Sequence, residues 1–241
     1  MAFEKMNNLK RLIIESGSFT TGPKHLPNSL RVLEWWDYPS PSLPIDFHPK
    51  KLVKLELLGS CLMSLDLFMS KNELHEADGY KLFRLPGPSI PEWFEHCING
   101  SSISFWFRNK FPVISLSCVF AGLELYAGVW FTLIINGNKY LSPHIFLADL
   151  SSDLLCICDH IEELFYDLVL SENEWNHVVC TTSWVPQPIK QIGIHVLKQG
   201  SNMEDIQFTN PLLLKEKRDF HNLPTWGKKK RLVFVSSRND F

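Results

Sequence analysis

The chain has 241 residues, enough for one large domain or a small module joined to a medium one, and its 45% hydrophobic and 12% aromatic content excludes wholesale disorder. Lys plus Arg total 24 against 26 Asp plus Glu, a formal net charge of -2, which argues against a dedicated nucleic-acid binder with its strongly basic face. The longest apolar run, Leu125–Ile135 (LYAGVWFTLII), falls short of the ~20 residues a membrane helix needs, and the charged N-terminus MAFEKMNNLKRL lacks the apolar core of a signal peptide.

Three segments superpose in the first third: LKRLII from Leu9, LRVLEW from Leu30 and LVKLEL from Leu52. Each has a large apolar residue at positions one, four and six, and their starts lie 21 and 22 residues apart. Positions four and six face one side of a short strand. Stacked copies would therefore bury a ladder made of Leu9, Leu12, Ile14, Leu30, Leu33, Trp35, Leu52, Leu55 and Leu57. The connections GPKHLPNS and YPSPSLPIDFHPKK hold too many prolines for long helices, and Leu26-Pro27 and Leu43-Pro44 would anchor the returning side. The array begins almost at Met1 without a capping unit, so the chain reads as the C-terminal part of a longer repeat protein. Trp36 and Tyr38 follow the second ladder strand and are expected on the concave surface or its rim, where repeat proteins meet partners. If Trp35 is itself the ladder residue, only Trp36 is exposed.

After Phe68 the repeat stops. The polar stretch MSKNELHEADGYK (Met69–Lys81) reads as a linker, which divides the chain into repeats at 1–68, a linker at 69–82, a β-sandwich at 83–215 and a basic tail at 216–241. The segment FRLPGPSIPEWFEHCINGSS favours turns and extended backbone, with Trp93-Phe94 stapling it to the sheet behind it. Strict alternation then begins: SISFWF puts Ile103, Phe105 and Phe107 on one face and Trp106 on the other. ISLSCVF follows. GVWFTLII runs to Asn136-Gly137, a type I′ hairpin signal, and KYLSPHIFL resumes beyond it. ELFYDLVL, HVVCTTSW and IGIHVL complete a set of about seven short strands, the pattern of a sandwich or jelly roll. LLCICDHIEEL (Leu154–Leu164) is the one stretch that could be helical, and EDIQF could add a final edge strand. Lys228-Lys229-Lys230-Arg231 reads as a solvated tail or a nuclear address.

Candidate chemistry is sparse. His96-Cys97 beside Glu92 and Glu95 could suggest a thiol nucleophile with its base, but neighbours on an extended chain point opposite ways. Asp159, His160, Glu162 and Glu163 could offer metal ligands, yet no HExxH accompanies them, and Cys156 and Cys158 lack a second pair. His177 and His195 alternate with apolar strand residues and read as solvent-face or satisfied core histidines. The six cysteines include no CxxC, and several sit in apolar runs, where a reduced thiol acts as a small hydrophobe. This usage indicates an intracellular chain with free thiols. The sequon Asn99-Gly100-Ser101 is then incidental. No catalytic, cofactor or metal residue is assigned.

AFEKMNNLKRLII, LPNSLRVLEWWDYPSPSLPIDFHPKKLVKLELLGS and LPGPSIPEWFEHCINGSSISF resemble the leucine-rich repeats and post-repeat domain of plant TIR-type disease-resistance receptors. EWNHVVC and GIHVLKQGSNMEDIQF resemble later landmarks of that post-repeat domain, a jelly-roll and immunoglobulin-like fold. The resemblance implies intracellular immune sensing, with the repeats and the post-repeat domain binding a pathogen effector protein. The chain has no GxxxxGK[ST] phosphate loop and no room ahead of the repeats for TIR or nucleotide-binding domains, so the NADase and ATP-switch activities do not carry over. Trp106 stands where relatives usually place a polar or charged residue.

The resulting expectation is a mainly β chain, a short leucine-rich-repeat segment followed by a β-sandwich. It would act as a non-catalytic recognition fragment in the cytoplasm or nucleus, with no cofactor, no nucleic acid and no membrane. Its partner would be a pathogen effector or a full-length immune receptor, met through Trp36, Tyr38 and Trp106. The rivals are a carbohydrate-binding sandwich with Trp130 or Trp184 flat on a groove floor, an enzyme with converging His, Cys or carboxylates, and a truncated product with no activity of its own.

Overall fold

A computed structural model describes residues 3–62, 79–122, 127–143, 145–147, 153–183, 189–197 and 202–211 of the chain. The three superposed segments become short parallel strands, β1 (Arg11–Ile14), β2 (Val32–Trp35) and β3 (Lys54–Glu56). Leu12 stands opposite Leu33, and Leu33 opposite Leu55, so the sequence repeat is also the spatial register. A strand absent from the sequence reading, β4 (Lys81–Pro86), then adds in parallel to β3 with Phe83 opposite Leu55. Phe83 and Leu85, both buried, thus take the fourth-rung positions of the ladder. Their spacing from the third rung is longer and Phe replaces Leu, which hides the rung in the sequence. The strand begins inside the stretch read as linker; residues 69–78 of that stretch lie outside the described residues.

Beyond it come β5 (His96–Asn99), β6 (Ser102–Phe107), β7 (Ile114–Phe120), β8 (Ala127–Ile135), β9 (Asn138–Leu141) and β10 (Ile145–Leu147). β11 (Leu154–Asp159), β12 (Asn176–Ser183), β13 (Ile189–Val196) and β14 (Ile206–Gln207) complete the described strands. The chain is mainly β and builds two sheets. One runs β1-β2-β3-β4-β11-β7-β13-β5, and the other β10-β8-β12-β6-β14 with β9 on β8. Between the sheets lies a core of Phe105, Phe107, Phe131, Leu133, Val178 and Cys180 against Leu116, Cys118, Phe120, Cys156, Cys158, Ile192 and Ile194. The opposite face of the long sheet carries a second core. There the ladder residues run on through Phe83 and Leu85 to Leu155, Ile157 and Val119, under Ile90 and Phe94. Trp93 rests half-buried on the same core, so the Trp-Phe pair does pin its segment to the sheet.

This double covering explains one of the two largest misreadings. β11 is buried at every position, because apolar layers lie on both sides of it, so LLCIC shows no alternation and imitates a helix. It is a strand, ended by His160 in the left-handed region (φ 53°) and followed by a short 3-10 turn at Ile161–Leu164. ELFYDLVL is not a strand: Glu163 and Leu164 close that turn, and the chain continues as a loop with Asp167 at φ 54°. The hairpin at Asn136-Gly137 has φ of 50° and 87°, the left-handed pair that type I′ demands. EDIQF yields the edge strand β14, paired with Phe107 and Trp106. Asn210 and Pro211 are the described residues of a separate unit spanning 210–241; the basic tail lies outside the described residues.

Burial grades along the ladder. Leu33, Leu55 and Leu57 are fully buried, whereas Leu9, Leu12 and Ile14 on the outermost rung are half-buried. Leu55→Ala should therefore cost about 3 kcal/mol of unfolding free energy, the middle of the range for a buried leucine, and Leu12→Ala about 1 kcal/mol. Urea denaturation of the two variants checks this, and equal losses would contradict the gradient.

Candidate functional site

The three aromatic contact candidates separate. Trp35 is the ladder residue, 1% exposed. Trp36 points the other way, half-buried, and packs against the flank of the core between the sheets. Tyr38 is a correction: it is 1% exposed and cannot meet a partner. Asp37 adopts φ 54°, and this left-handed turn swings Tyr38 back under Trp35, ring edge to face at 5.2 Å. Its hydroxyl donates to the Ser42 carbonyl, and burial pushes its pKa up to about 12. The same turn recurs 22 residues later at Gly59 (φ 66°), where any Cβ would press on the Asp37 carboxylate. A left-handed residue just after each of these two ladder strands is thus part of the repeat, and the leucine spacing alone does not reveal it.

Trp106 lies on the outer face of the second sheet. It stands opposite His177 across β6 and β12 and stacks on that ring, centroids 4.4 Å apart and planes 29° from parallel. Ser104, Val179 and Ile134 form the adjoining row on this face. Trp106, His177, Val179 and Ile134 are all half-exposed, so a partner reaching the face meets an aromatic plate beside a short apolar strip. Trp130 is half-exposed as well, and Trp184 lies outside the described residues.

A buried polar row, invisible in the sequence, crosses the ladder face of the long sheet. Lys81 of β4, Asp159 of β11, Ser115 of β7 and His195 of β13 stand side by side in register. The Lys81 ammonium sits 3.1 Å from Asp159 Oδ2, with both side chains 1% exposed. The Ser115 hydroxyl donates to Asp159 Oδ1 at 2.5 Å. His195, also 1% exposed, pairs through Nδ1 with Glu95, and the Trp93 ring stands edge-on to it at 5.2 Å. Serine, histidine and aspartate share one row, but the hydroxyl goes to the carboxylate rather than the imidazole, and none of the three meets solvent. A nucleophilic triad needs the imidazole between the other two. The row is a strut that ties β4, β11 and β7 together and holds His195 against the segment before β5. Ser115 and Ser117 alternate with apolar residues and so imitate a solvent face, which hid the row.

On the opposite face of the parallel strands, Lys54 bridges Glu34 at 3.0 Å and Glu56 at 2.9 Å, and Arg84 pairs with Glu56. The face beside Trp36 therefore carries two cations matched by two carboxylates.

The remaining candidates disperse. His96 and Cys97 lie on opposite faces of β5: His96 stacks on Phe208, while the Cys97 thiol leans toward the Phe94 carbonyl at 3.6 Å and is pushed up by burial. Burial likewise pushes up the thiols of Cys118, Cys158 and Cys180. Glu162 accepts from the Ile114 amide, Glu163 from the Tyr80 amide, and Asp159 belongs to the strut, so these carboxylates do not converge. Among the described residues no group of three or more His, Cys, Asp or Glu is arranged to hold a metal, and no helix is long and apolar enough to cross a membrane.

No family model matches the chain. Among curated proteins, sequences of the disease resistance protein RRS1 of Arabidopsis thaliana are 41% identical to it over 73 residues. Over that stretch the chain is similar to a plant disease-resistance protein. The stretch covers 27% of this chain and only 5 to 6% of RRS1, so the likeness is that of one segment within a much longer protein. It supports a relation to plant disease-resistance proteins over that segment.

Two predictions come from this geometry. Lys81→Met leaves the Asp159 carboxylate buried without its cation and should cost roughly 3–5 kcal/mol, most of it regained in Lys81→Met/Asp159→Leu; urea unfolding of both variants decides, and a mild single-variant loss would contradict the strut. Desolvation lowers the His96 pKa against a weaker pull from Glu95, while the Glu162 hydrogen bond raises that of His160 against a weaker desolvation. The His160 contribution to stability is present below the ordinary histidine pKa and lost as pH rises through its raised value. That of His96 is present above the ordinary value and lost as pH falls. NMR titration should place the His160 midpoint above that of His96; the reverse order would contradict these environments.

Proposed function

We propose that the chain is a non-catalytic recognition segment of a plant intracellular immune receptor. On this reading the parallel strands are the end of a leucine-rich-repeat array, and the two-sheet part is the post-repeat jelly-roll and immunoglobulin-like domain. Together they meet a pathogen effector protein or a full-length receptor in the cytoplasm, by surface complementarity, with no cofactor and no covalent step. The observation that carries the proposal is the 41% identity with RRS1. Its support is architectural: the ladder and the second module share one continuous sheet, so aromatic groups on both are held at fixed spacing. Trp36 and Trp106 are the contact residues, because half-exposed tryptophans are the side chains that most often dominate a protein interface.

The test is co-immunoprecipitation of the full chain from plant cells with candidate effectors and full-length receptors, beside the Trp36→Ala/Trp106→Ala variant. Each interfacial hot spot is worth about 2 kcal/mol, so recovery of a genuine partner should fall at least roughly tenfold. A thermal melt of the variant separates this loss from unfolding, since Trp36 also packs on the core. Equal recovery with both proteins would overturn the assignment of this surface.

A further inference from the structure

β5 lies at the end of the long sheet, and among the described residues β13 is its only strand neighbour. Its backbone polarity can be read from the register. Gly100 donates to the Lys190 carbonyl at 3.1 Å, and bonded and unbonded pairs alternate along an antiparallel ladder. Counting back from that bonded pair, Ile98 and His96 turn their amides and carbonyls toward β13. Cys97 and Asn99 turn theirs away, to the free edge. The strand holds no lysine, no proline and no bulge, the usual protections of such an edge, and Cys97, Ile98 and Asn99 are exposed.

A cleft of about 450 Å³ runs beside this edge, within the range of about 300–1,000 Å³ typical of ligand sites. Its walls include His96 and Ile98 of β5, Ser102, Ile103 and Ser104 of β6, and Val179 and Phe208. β6 is open here too: β14 pairs only with Phe107 and Trp106, which leaves Ser102 and Ser104 without a strand on that side among the described residues. The chemistry of the cleft selects its occupant. No lysine or arginine lines it, so it offers nothing to a phosphate or carboxylate. Its one aromatic, Phe208, is stacked on His96 and is not a plate for a sugar ring. Its carboxylate, Glu95, is paired with His195, and what it presents besides is a strand edge without a backbone partner among the described residues, beside a partly apolar groove.

We infer that this corner binds an extended peptide segment that adds as a strand to β5. Peptide residues opposite Cys97 and Asn99 exchange backbone hydrogen bonds with them. Residues opposite His96 and Ile98 send their side chains to the cleft face, toward Ile103 and Phe208. The preferred ligand is therefore apolar at two positions two residues apart, with an unsubstituted amide at the position between them. Main-chain bonds would supply affinity and the cleft specificity, as in other strand-addition sites. This surface borders the Trp106 face at Ser104 and Val179 but includes neither Trp36 nor Trp106, and it does not depend on the receptor reading.

The test is selection of phage-displayed random octapeptides on the full 241-residue chain. The selected peptides are then synthesised and measured by fluorescence polarisation against wild type, Ile98→Lys, Ser104→Lys and Trp36→Ala/Trp106→Ala. Ile98 is 43% exposed, so lysine there fills the cleft without burying a charge. Enriched peptides should share the apolar-x-apolar pattern, lose at least tenfold in affinity for each lysine variant, and keep their affinity for the tryptophan variant. N-methylation along such a peptide should abolish binding at alternate residues and be tolerated between them, because only one edge faces β5. The proposal is overturned if no peptide is enriched, if the lysine variants bind as well as wild type, or if N-methylation has the same effect at every position.

Discussion

β4 makes hydrogen bonds of two kinds, and the architecture rests on that fact. Along one edge it pairs in parallel with β3, as a further rung of the ladder; along the other it pairs antiparallel with β11, as a strand of the two-sheet module. Parallel strands succeed one another through connections that leave and return on the same side, whereas antiparallel strands reverse at each end. A single strand that satisfies both patterns needs two apolar faces of different character. KLFRLP supplies them: Phe83 and Leu85 continue the ladder core, and Leu82 joins Tyr80 against the core between the sheets. Lys81 and Arg84, which would be costly to bury alone, are each matched by a carboxylate.

The sequence was legible wherever one face of a strand met solvent. SISFWF and the leucine segments alternate because only one side is covered, and their registers came out as the pattern implied. It was illegible where both faces were covered, as in β11, and where a polar side chain was buried in company, as in Ser115. Tyr38 failed for a third reason. Side-chain parity holds only while the backbone stays extended, and the left-handed turn at Asp37 resets it within one residue. The candidate site was legible in part: Trp36 and Trp106 are where alternation put them, while the free edge of β5 is a property of the topology and leaves no trace in the local sequence.

The two faces of the long sheet have divided their tasks. Across its middle strands the ladder face is sealed by apolar rungs and by the Lys81–Asp159–Ser115 strut. Half-exposed and open groups collect elsewhere, on the outer face of the second sheet and at the corner between β5 and β6.

The dual role of β4 also limits how this architecture can be recombined. A crossover that exchanged the repeats while keeping the downstream module could not fall within 81–86, because either half of the strand would then carry the wrong side chains for one of its neighbours. The interchangeable piece is a block that ends before Lys81, and an incoming array must offer a last strand whose curvature and spacing match those of β3. Residues 81–86 therefore belong to both parts at once and can be exchanged only as a piece.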